Sequence, residues 1–193
     1  MSESGDDEEI QELVQYSGNY GSIDQDSKFW DDYEEMGGPN GEDLLKYKIT
    51  KIKIYIGTFN EKKAIIGITF VFKNLFSGKD EPPKEHKGSI QFEEVKEFDI
   101  LEGEYLTDFH IRLPSDAEYI SQLGFGTNKG NKILVGTEEG VVKNTNLNGE
   151  QNYIIGTFGC VNKKLDAMGC LFVSRNEYLK RKLKMGFKME STS

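Results

Sequence analysis

The feature that most constrains the fold is a series of short β-type runs between Tyr47 and residue 173. In "YKITKIKIYIG" (47–57), isoleucines alternate with Lys and Tyr over the second half of the run. This period of two predicts a strand with one buried face and one solvated face. The next run, "AIIGITFVF" (64–72), is apolar at nearly every position and predicts a more deeply buried strand.

Six further runs have the same character, and turns that contain Gly or Asn separate most of them. They are "QFEEVKEFDI" (91–100), "EYLTDFHIRL" (104–113), "YISQLGFGT" (119–127), "NKILVG" (131–136), "QNYIIGTFG" (151–159) and "LDAMGCLFV" (165–173). Residues 73–89 are interpreted as a loop tip, because two prolines cannot occupy a central strand. With no convincing helix between the runs, the pattern predicts an all-β sheet assembly.

The two ends of the chain differ in charge and pattern from this body. Residues 1–28 are predicted to be an acidic, largely irregular extension, with a short helix favoured only within 6–15. The body is assigned to residues 29–175, and the aromatics of "KFWDDY" are expected to hold the polar N-terminal segment against it. Residues 176–193 form a basic tail, in which apolar residues four apart are compatible with a short amphipathic helix or with a frayed end.

Composition excludes several classes of function. The net charge is −9 and the body is not basic enough to indicate a nucleic-acid partner. The longest apolar runs are far too short to cross a bilayer, so no membrane insertion is expected. The chain opens "MSESGDDEEIQELV", which has neither the charged start nor the apolar stretch of a secretory signal, and a cytoplasmic location is therefore predicted.

Residues that could carry chemistry are few. Cys160 and Cys170 lie ten apart and far from both histidines, which predicts reduced thiols and no metal site. The glycine-rich "GFGTNKGNK" (124–132) lacks the Gly-Lys-Ser/Thr ending of a phosphate loop and is interpreted as a hairpin. No nucleophile elbow occurs, and no carboxylate pair has a spacing that singles it out. The sequence therefore predicts neither an enzyme nor a cofactor.

One acidic residue stands out in "GTFGCVNKKLDAMGCLFV" (156–173). Asp166 is flanked by apolar residues in a stretch that otherwise has the pattern of a buried strand. Two interpretations are open: Asp166 holds a ligand at the end of a loop, or it hydrogen-bonds loop amides and fixes the turn. In both interpretations we expect a strand–loop–strand unit in which Asp166 lies at the end of the loop, outside the buried strand.

The same stretch resembles the closing segment of jacalin-related lectins, in which a strand of the type I-x-G-F-x-G leads through a short loop into L-D-A-I-G. Four upstream segments resemble the family in the same order along the chain. They are "FWDD" (29–32), the strand pair 47–57 and 64–72, "EYLTDFHIR" (104–112) and "LGFGTNKGNK" (123–132). The resemblance covers residues 29–173. It implies a β-prism of three four-stranded antiparallel sheets with pseudo-threefold symmetry.

In sugar-binding members of this family, a G-x-x-x-D loop supplies an Asp that accepts hydrogen bonds from sugar hydroxyls, while loop amides donate. Transferred to this sequence, the resemblance gives the carboxylate role to Asp166. The loop positions and the two alternatives for the family's N-terminal glycine are Asn162, Lys163, Lys164, Leu165, Gly18 and Gly21. Asn162 replaces the loop glycine, and no aromatic side chain is available to stack on a sugar. The two lysines are unusual in a pocket for neutral sugars and would suit an acidic or sulfated glycan.

The resemblance implies a non-catalytic carbohydrate-binding module whose partner is a mono- or oligosaccharide. The alternative is an intracellular structural or adaptor protein that uses the β-prism within a large multi-subunit assembly, for example a cytoskeletal one, with a degenerate sugar site. The absence of a secretory signal, the lost loop glycine and the two charged extensions favour that alternative. The sequence does not distinguish the sugar, the complex or the oligomeric state.

Overall fold

The structure is a computed structural model that describes residues 14–38, 42–143 and 148–187. The short helix favoured within residues 6–15 lies outside this range, apart from its last two residues. In the described residues the chain forms thirteen strands, two α-helices and one 3₁₀ helix, Glu42–Lys46. The strands are β1 Gln15–Tyr16, β2 Tyr20–Gly21, β3 Lys28–Asp31, β4 Tyr47–Phe59, β5 Lys62–Asn74, β6 Lys84–Lys87, β7 Phe92–Asp99, β8 Leu106–Leu113, β9 Gln122–Thr127, β10 Lys132–Gly136, β11 Val141–Val142, β12 Asn152–Val161 and β13 Leu165–Ser174. The α-helices are α1 Asp32–Met36 and α2 Arg175–Lys184.

The strands form three antiparallel sheets, which confirms the predicted β-prism. Sheet A has the order β1-β13-β12-β3, with β2 paired to β13 on the same side as β1. Sheet B has the order β6-β5-β4-β7, and sheet C has the order β10-β9-β8-β11. Among the described strands, five of the ten neighbouring pairs are hairpin partners in sequence. In sheet A the N-terminal strands pair with the last two strands of the domain.

The inner faces of the three sheets share one hydrophobic core, to which each sheet contributes fully or almost fully buried side chains. Examples are Met168 from sheet A, Phe70 from sheet B and Leu123 from sheet C, each at 0% exposure. Both faces of β5 are largely buried, as its unbroken apolar run predicts. A second cluster lies outside sheet A, where Leu44, Leu45 and Tyr178 pack on the strand pair β12–β13.

The structure differs from the sequence-based expectation at the sheet edges. Residues 84–87, predicted within a loop tip, form β6 and pair with β5. Pro82 and Pro83 directly precede β6, and β6 lies at an edge of sheet B, so neither proline has to donate to the ladder. The extension was expected to be largely irregular, yet β1 and β2 within it pair with β13. Strands of two residues carry too little alternation to be recognised in sequence.

A helix does follow the last strand. Ser174 caps α2 by accepting a hydrogen bond from the Glu177 amide at 3.2 Å. The helix packs through Tyr178, whose ring makes edge contacts with Tyr105 and Tyr153 at centroid distances of 5.5 and 5.3 Å. Within the described residues, neither α-helix has the length and apolarity needed to cross a bilayer.

Candidate functional site

The loop that joins β12 to β13 consists of residues 162–164 and is held by its backbone against sheet B. The carbonyl oxygens of Asn162 and Lys163 accept hydrogen bonds from the Ser89 and Ile90 amides at 3.0 and 2.9 Å. Gly88 packs directly on the loop, since a Cβ atom there would lie 2.2 Å from the Lys163 carbonyl oxygen. Contacts from a different sheet therefore fix the path of the loop.

Asp166 is the second residue of β13 and its side chain is fully buried. This position corrects the expectation that Asp166 lies at the loop's end outside the buried strand. Both carboxylate oxygens have partners within the protein. Lys164 Nζ lies 2.8 Å from Oδ1, and the Ser27 hydroxyl donates to Oδ2 at 2.9 Å. Two side chains thus stabilise the buried charge, as a carboxylate removed from water requires.

Lys164 is itself buried, with only 4% of its surface exposed. Its ammonium lies 4.8 Å from the centroid of the Phe59 ring, which belongs to the last residue of β4. The ammonium is therefore placed between a carboxylate and an aromatic face, two groups that both attract a cation. Lys163 differs from its neighbour because its side chain is exposed at the rim of the loop.

Of the two glycine alternatives, the structure brings only Gly21 to Asp166. Gly21 has φ = 139° and packs so closely that a Cβ atom would lie 2.0 Å from the Asp166 carbonyl oxygen. That same oxygen accepts a hydrogen bond from the Ser22 amide at 3.1 Å. Gly18 lies further along β13, where its carbonyl oxygen packs on Gly169.

The remaining sequence-derived residues have different surroundings. Leu165 is fully buried in the shared core, so its side chain does not face the Asp166 carboxylate. Asn162 is partly exposed and its amide donates to the Lys164 carbonyl oxygen at 3.2 Å, which closes the loop. Cys160 lies close by, and burial together with the nearby Asp166 charge raises the pKa of its thiol. No group of three or more potential metal-ligating side chains occurs among the residues that the structure describes.

Sequence reasoning missed two residues of this site, Ser27 and Phe59. Ser27 is 139 positions from Asp166 in the chain, and Phe59 belongs to a hairpin of another sheet, so no local pattern connects either to the loop. The pairing of Lys164 with Asp166 joins residues only two apart in the chain, but strand alternation does not predict it. Lys164 belongs to the loop, and the register between β12 and β13 shifts beside Asp166.

Comparison with known proteins supports the sheet arrangement described above. Structural neighbours with the same fold include wild-type Malaysian banana lectin, at 22% identity and a TM-score of 0.63, with 84% of this chain and 99% of that chain covered. A mannose-binding jacalin-related lectin from Ananas comosus aligns at 18% identity and a TM-score of 0.61, over 83% of this chain and 98% of its own. Calsepa lectin, solved with a biantennary N-glycan, aligns at 20% identity and a TM-score of 0.61, with coverages of 84% and 98%.

The comparison with curated proteins finds no match. A family model described as "Jacalin-like lectin domain" matches residues 33–171, which is most of the chain. That range runs from α1 to β13 and includes the loop, Lys164 and Asp166. The chain therefore belongs to the jacalin-like lectin domain family.

Proposed function

We propose that this protein is a non-catalytic carbohydrate-binding module whose ligand contacts Asp166 and the adjoining β12–β13 loop. The observation that carries the proposal is the convergence of Asp166, Ser27, Gly21 and the loop residues 162–164 at one point of a lectin-family fold. Gly21 belongs to β2 and Asp166 to β13, Ser27 directly precedes β3, and backbone contacts from residues 88–90 support the loop.

The chemistry of these groups suits a polyhydroxylated ligand. An ionised carboxylate offers several lone-pair positions, so it accepts hydrogen bonds from two neighbouring hydroxyl groups with good geometry. Among the described residues, no hydrogen bond joins the Lys163 amide to another group, so this loop amide can donate to a ligand. A fixed amide and a fixed carboxylate together recognise a donor–acceptor pattern that sugar hydroxyls provide.

The solved neighbours indicate which ligands to test first. One is described as mannose binding, and another was crystallised with a biantennary N-glycan. We therefore propose mannose-containing glycans as the first candidates for this chain, with acidic and sulfated glycans as the second group because Lys163 is exposed at the rim of the loop. A single small site of this kind binds weakly, and useful avidity requires several copies or several ligands.

The test is a glycan array followed by titration of the best ligand against the wild type and Asp166→Asn. The expected result is a defined set of glycans whose binding falls at least tenfold in Asp166→Asn. Asp116→Asn is the control, since the Asp116 carboxylate accepts a hydrogen bond from the Glu118 amide in the connection between β8 and β9 of sheet C, outside the site. Thermal unfolding of each variant verifies that the fold is intact. Equal binding by the wild type and Asp166→Asn contradicts the proposal, and so does an array that stays blank for the wild type and for the loop variant Lys164→Ala.

The absence of catalysis and the cytoplasmic location remain predictions from the sequence. The alternative function as an adaptor also remains a prediction from the sequence, since neither the comparisons nor the contacts of the described residues favour it. Gentle purification with mass spectrometry of bound proteins tests it independently of any sugar.

A further inference from the structure

We propose that Lys164 is an internal competitor for the sugar site, which holds the free protein in a closed state until a ligand displaces the lysine side chain. This inference rests on the proposed function, because it assigns regulation to the same site. In the closed state the Lys164 ammonium occupies the position of a ligand at the Asp166 carboxylate, and the Phe59 ring packs on the ammonium.

The burial of Asp166 is the first argument. With a side-chain exposure of 0%, its carboxylate offers no surface that a sugar hydroxyl could reach. Lys164 holds Oδ1 at 2.8 Å and Ser27 holds Oδ2 at 2.9 Å, which are the distances and the groups expected of donor ligands. A ligand that uses this carboxylate must therefore remove at least one of the two partners first.

The second argument identifies which partner moves. Contacts from residues 88–90 hold the loop backbone in place, so the loop does not open as a unit. Ser27 carries a short side chain that also accepts a hydrogen bond from the Asp24 amide at 3.1 Å. Lys164 has a flexible four-carbon stem, and it lies next to the exposed Lys163 at the rim. Rotation of its side chain toward solvent uncovers the carboxylate and leaves the backbone unchanged.

The closed state lowers the apparent affinity by the fraction of molecules that are open. If the closed form outnumbers the open form by about 100 to 1, the apparent dissociation constant is about 100 times that of the open site. Removal of the lysine side chain eliminates this competition. Lys164→Ala is therefore expected to bind neutral glycans more tightly than the wild type, which is the opposite of what loss of a direct ligand contact produces.

The experiment compares the wild type, Lys164→Ala and Lys164→Gln on an array of neutral mannose-containing glycans, followed by titration with methyl α-mannoside. We expect at least a tenfold gain in affinity for Lys164→Ala. A smaller gain is expected for Lys164→Gln, whose amide still donates to Asp166 but carries no charge. Lys129→Ala is the control, because Lys129 is an exposed lysine in the β9–β10 turn and should leave binding unchanged.

A second measurement needs no ligand. Acetylation of the free protein, followed by mass spectrometry, should modify Lys164 at least ten times more slowly than Lys129. The rate for Lys164 should rise in Asp166→Asn, which removes the ionic partner. Equal rates for the two lysines in the wild type overturn the closed state, whatever the arrays show.

The outcomes separate the two proposals. If the wild type binds glycans through Asp166 and Lys164→Ala binds equally well or more weakly, the internal competitor is wrong and the lectin function stands. If every variant, including Lys164→Ala, leaves the array blank, the lectin function itself is wrong and the competitor has nothing to regulate. If Lys164→Ala gains binding, and the double variant with Lys164→Ala and Asp166→Asn loses it, both proposals are supported.

Discussion

The Ser27 hydroxyl donates a hydrogen bond to Oδ2 of Asp166 at 2.9 Å, across 139 residues of sequence. This contact joins the polar N-terminal segment to the loop-proximal end of β13. Because Ser27 directly precedes β3, the site is complete only when the N-terminal strands have paired with sheet A. Assembly of the site and assembly of sheet A are therefore coupled.

Ser27→Ala tests this coupling. Loss of a hydrogen bond to a buried charge should lower the free energy of unfolding by about 1.5 to 3 kcal/mol. Ser22→Ala is the matched control, because Ser22 contacts Asp166 through its backbone amide, which the substitution retains. Urea unfolding followed by tryptophan fluorescence measures both variants. Equal stability of the two would show that the Ser27 hydroxyl does not stabilise the carboxylate.

Gly21→Ala should separate β2 from β13. The residue has φ = 139°, and a Cβ atom would lie 2.0 Å from the Asp166 carbonyl oxygen, so both the backbone conformation and the contact oppose a side chain. Gly78→Ala is the control for backbone conformation alone, since Gly78 also has a positive φ but has open space around it. We expect a loss of about 1 kcal/mol for Gly78→Ala and a clearly larger loss for Gly21→Ala. Faster amide exchange over residues 20–28 should accompany only the Gly21 substitution.

The buried Asp32 and the partly buried His86, which stacks on Trp30, should give opposite pH dependences of stability. Burial raises the pKa of Asp32 to about 6, although hydrogen bonds from Thr157 and the nearby Lys84 charge act against this shift. Burial lowers the pKa of His86, which stacks on Trp30 at 4.1 Å, to about 4. Because the pKa of Asp32 is raised in the folded protein, this group contributes to the free energy of unfolding at low pH, and the contribution is lost as the pH rises through 6. A lowered histidine pKa gives stability that is lost as the pH falls from about 6.5 toward 4.

The expected result is read relative to the wild type between pH 4 and pH 6. In the wild type, the contribution of Asp32 to the free energy of unfolding decreases as the pH rises. Asp32→Asn removes this decrease, so the free energy of unfolding of the variant should rise with pH more steeply than that of the wild type. His86 contributes an increase with pH, and His86→Phe removes it while retaining a ring to stack on Trp30, so the free energy of unfolding of this variant should fall with pH relative to the wild type. Each difference should be on the order of 2 to 3 kcal/mol, since one pKa unit corresponds to about 1.4 kcal/mol. Slopes that change in the same direction would contradict this assignment.

Tyr178→Ala should release α2 from sheet A. The ring is 2% exposed and packs edge-on against both Tyr105 and Tyr153, so truncation creates a cavity and should cost about 3 kcal/mol. Leu183→Ala on the same helix is the control, because that side chain is 55% exposed. Amide exchange over residues 175–184 measures release of the helix. Unchanged exchange in Tyr178→Ala would mean that other contacts, such as the Arg181–Glu42 ion pair at 2.7 Å, hold the helix.

The long strands were predictable because the residues of each strand themselves indicate which of its faces are buried. The alternation in β4 indicates one buried face and the unbroken apolar run of β5 indicates two, whichever strands lie beside them. The edge strand β6 and the two-residue strands β1 and β2 were missed for the same reason. They are short or partly exposed, and only their hydrogen-bonding partners define them.

The sequence by itself determined the all-β architecture, the family resemblance and the position of Asp166 beside the loop that follows β12. Only the tertiary structure decided the state of that carboxylate. The Lys164 ammonium and the hydroxyl of Ser27, a residue near the other end of the chain, both contact the carboxylate. Phe59, which belongs to another sheet, packs on the lysine. Periodicity records whether a segment is buried, whereas closure of a site depends on side-chain directions from segments that meet only after the sheets have packed.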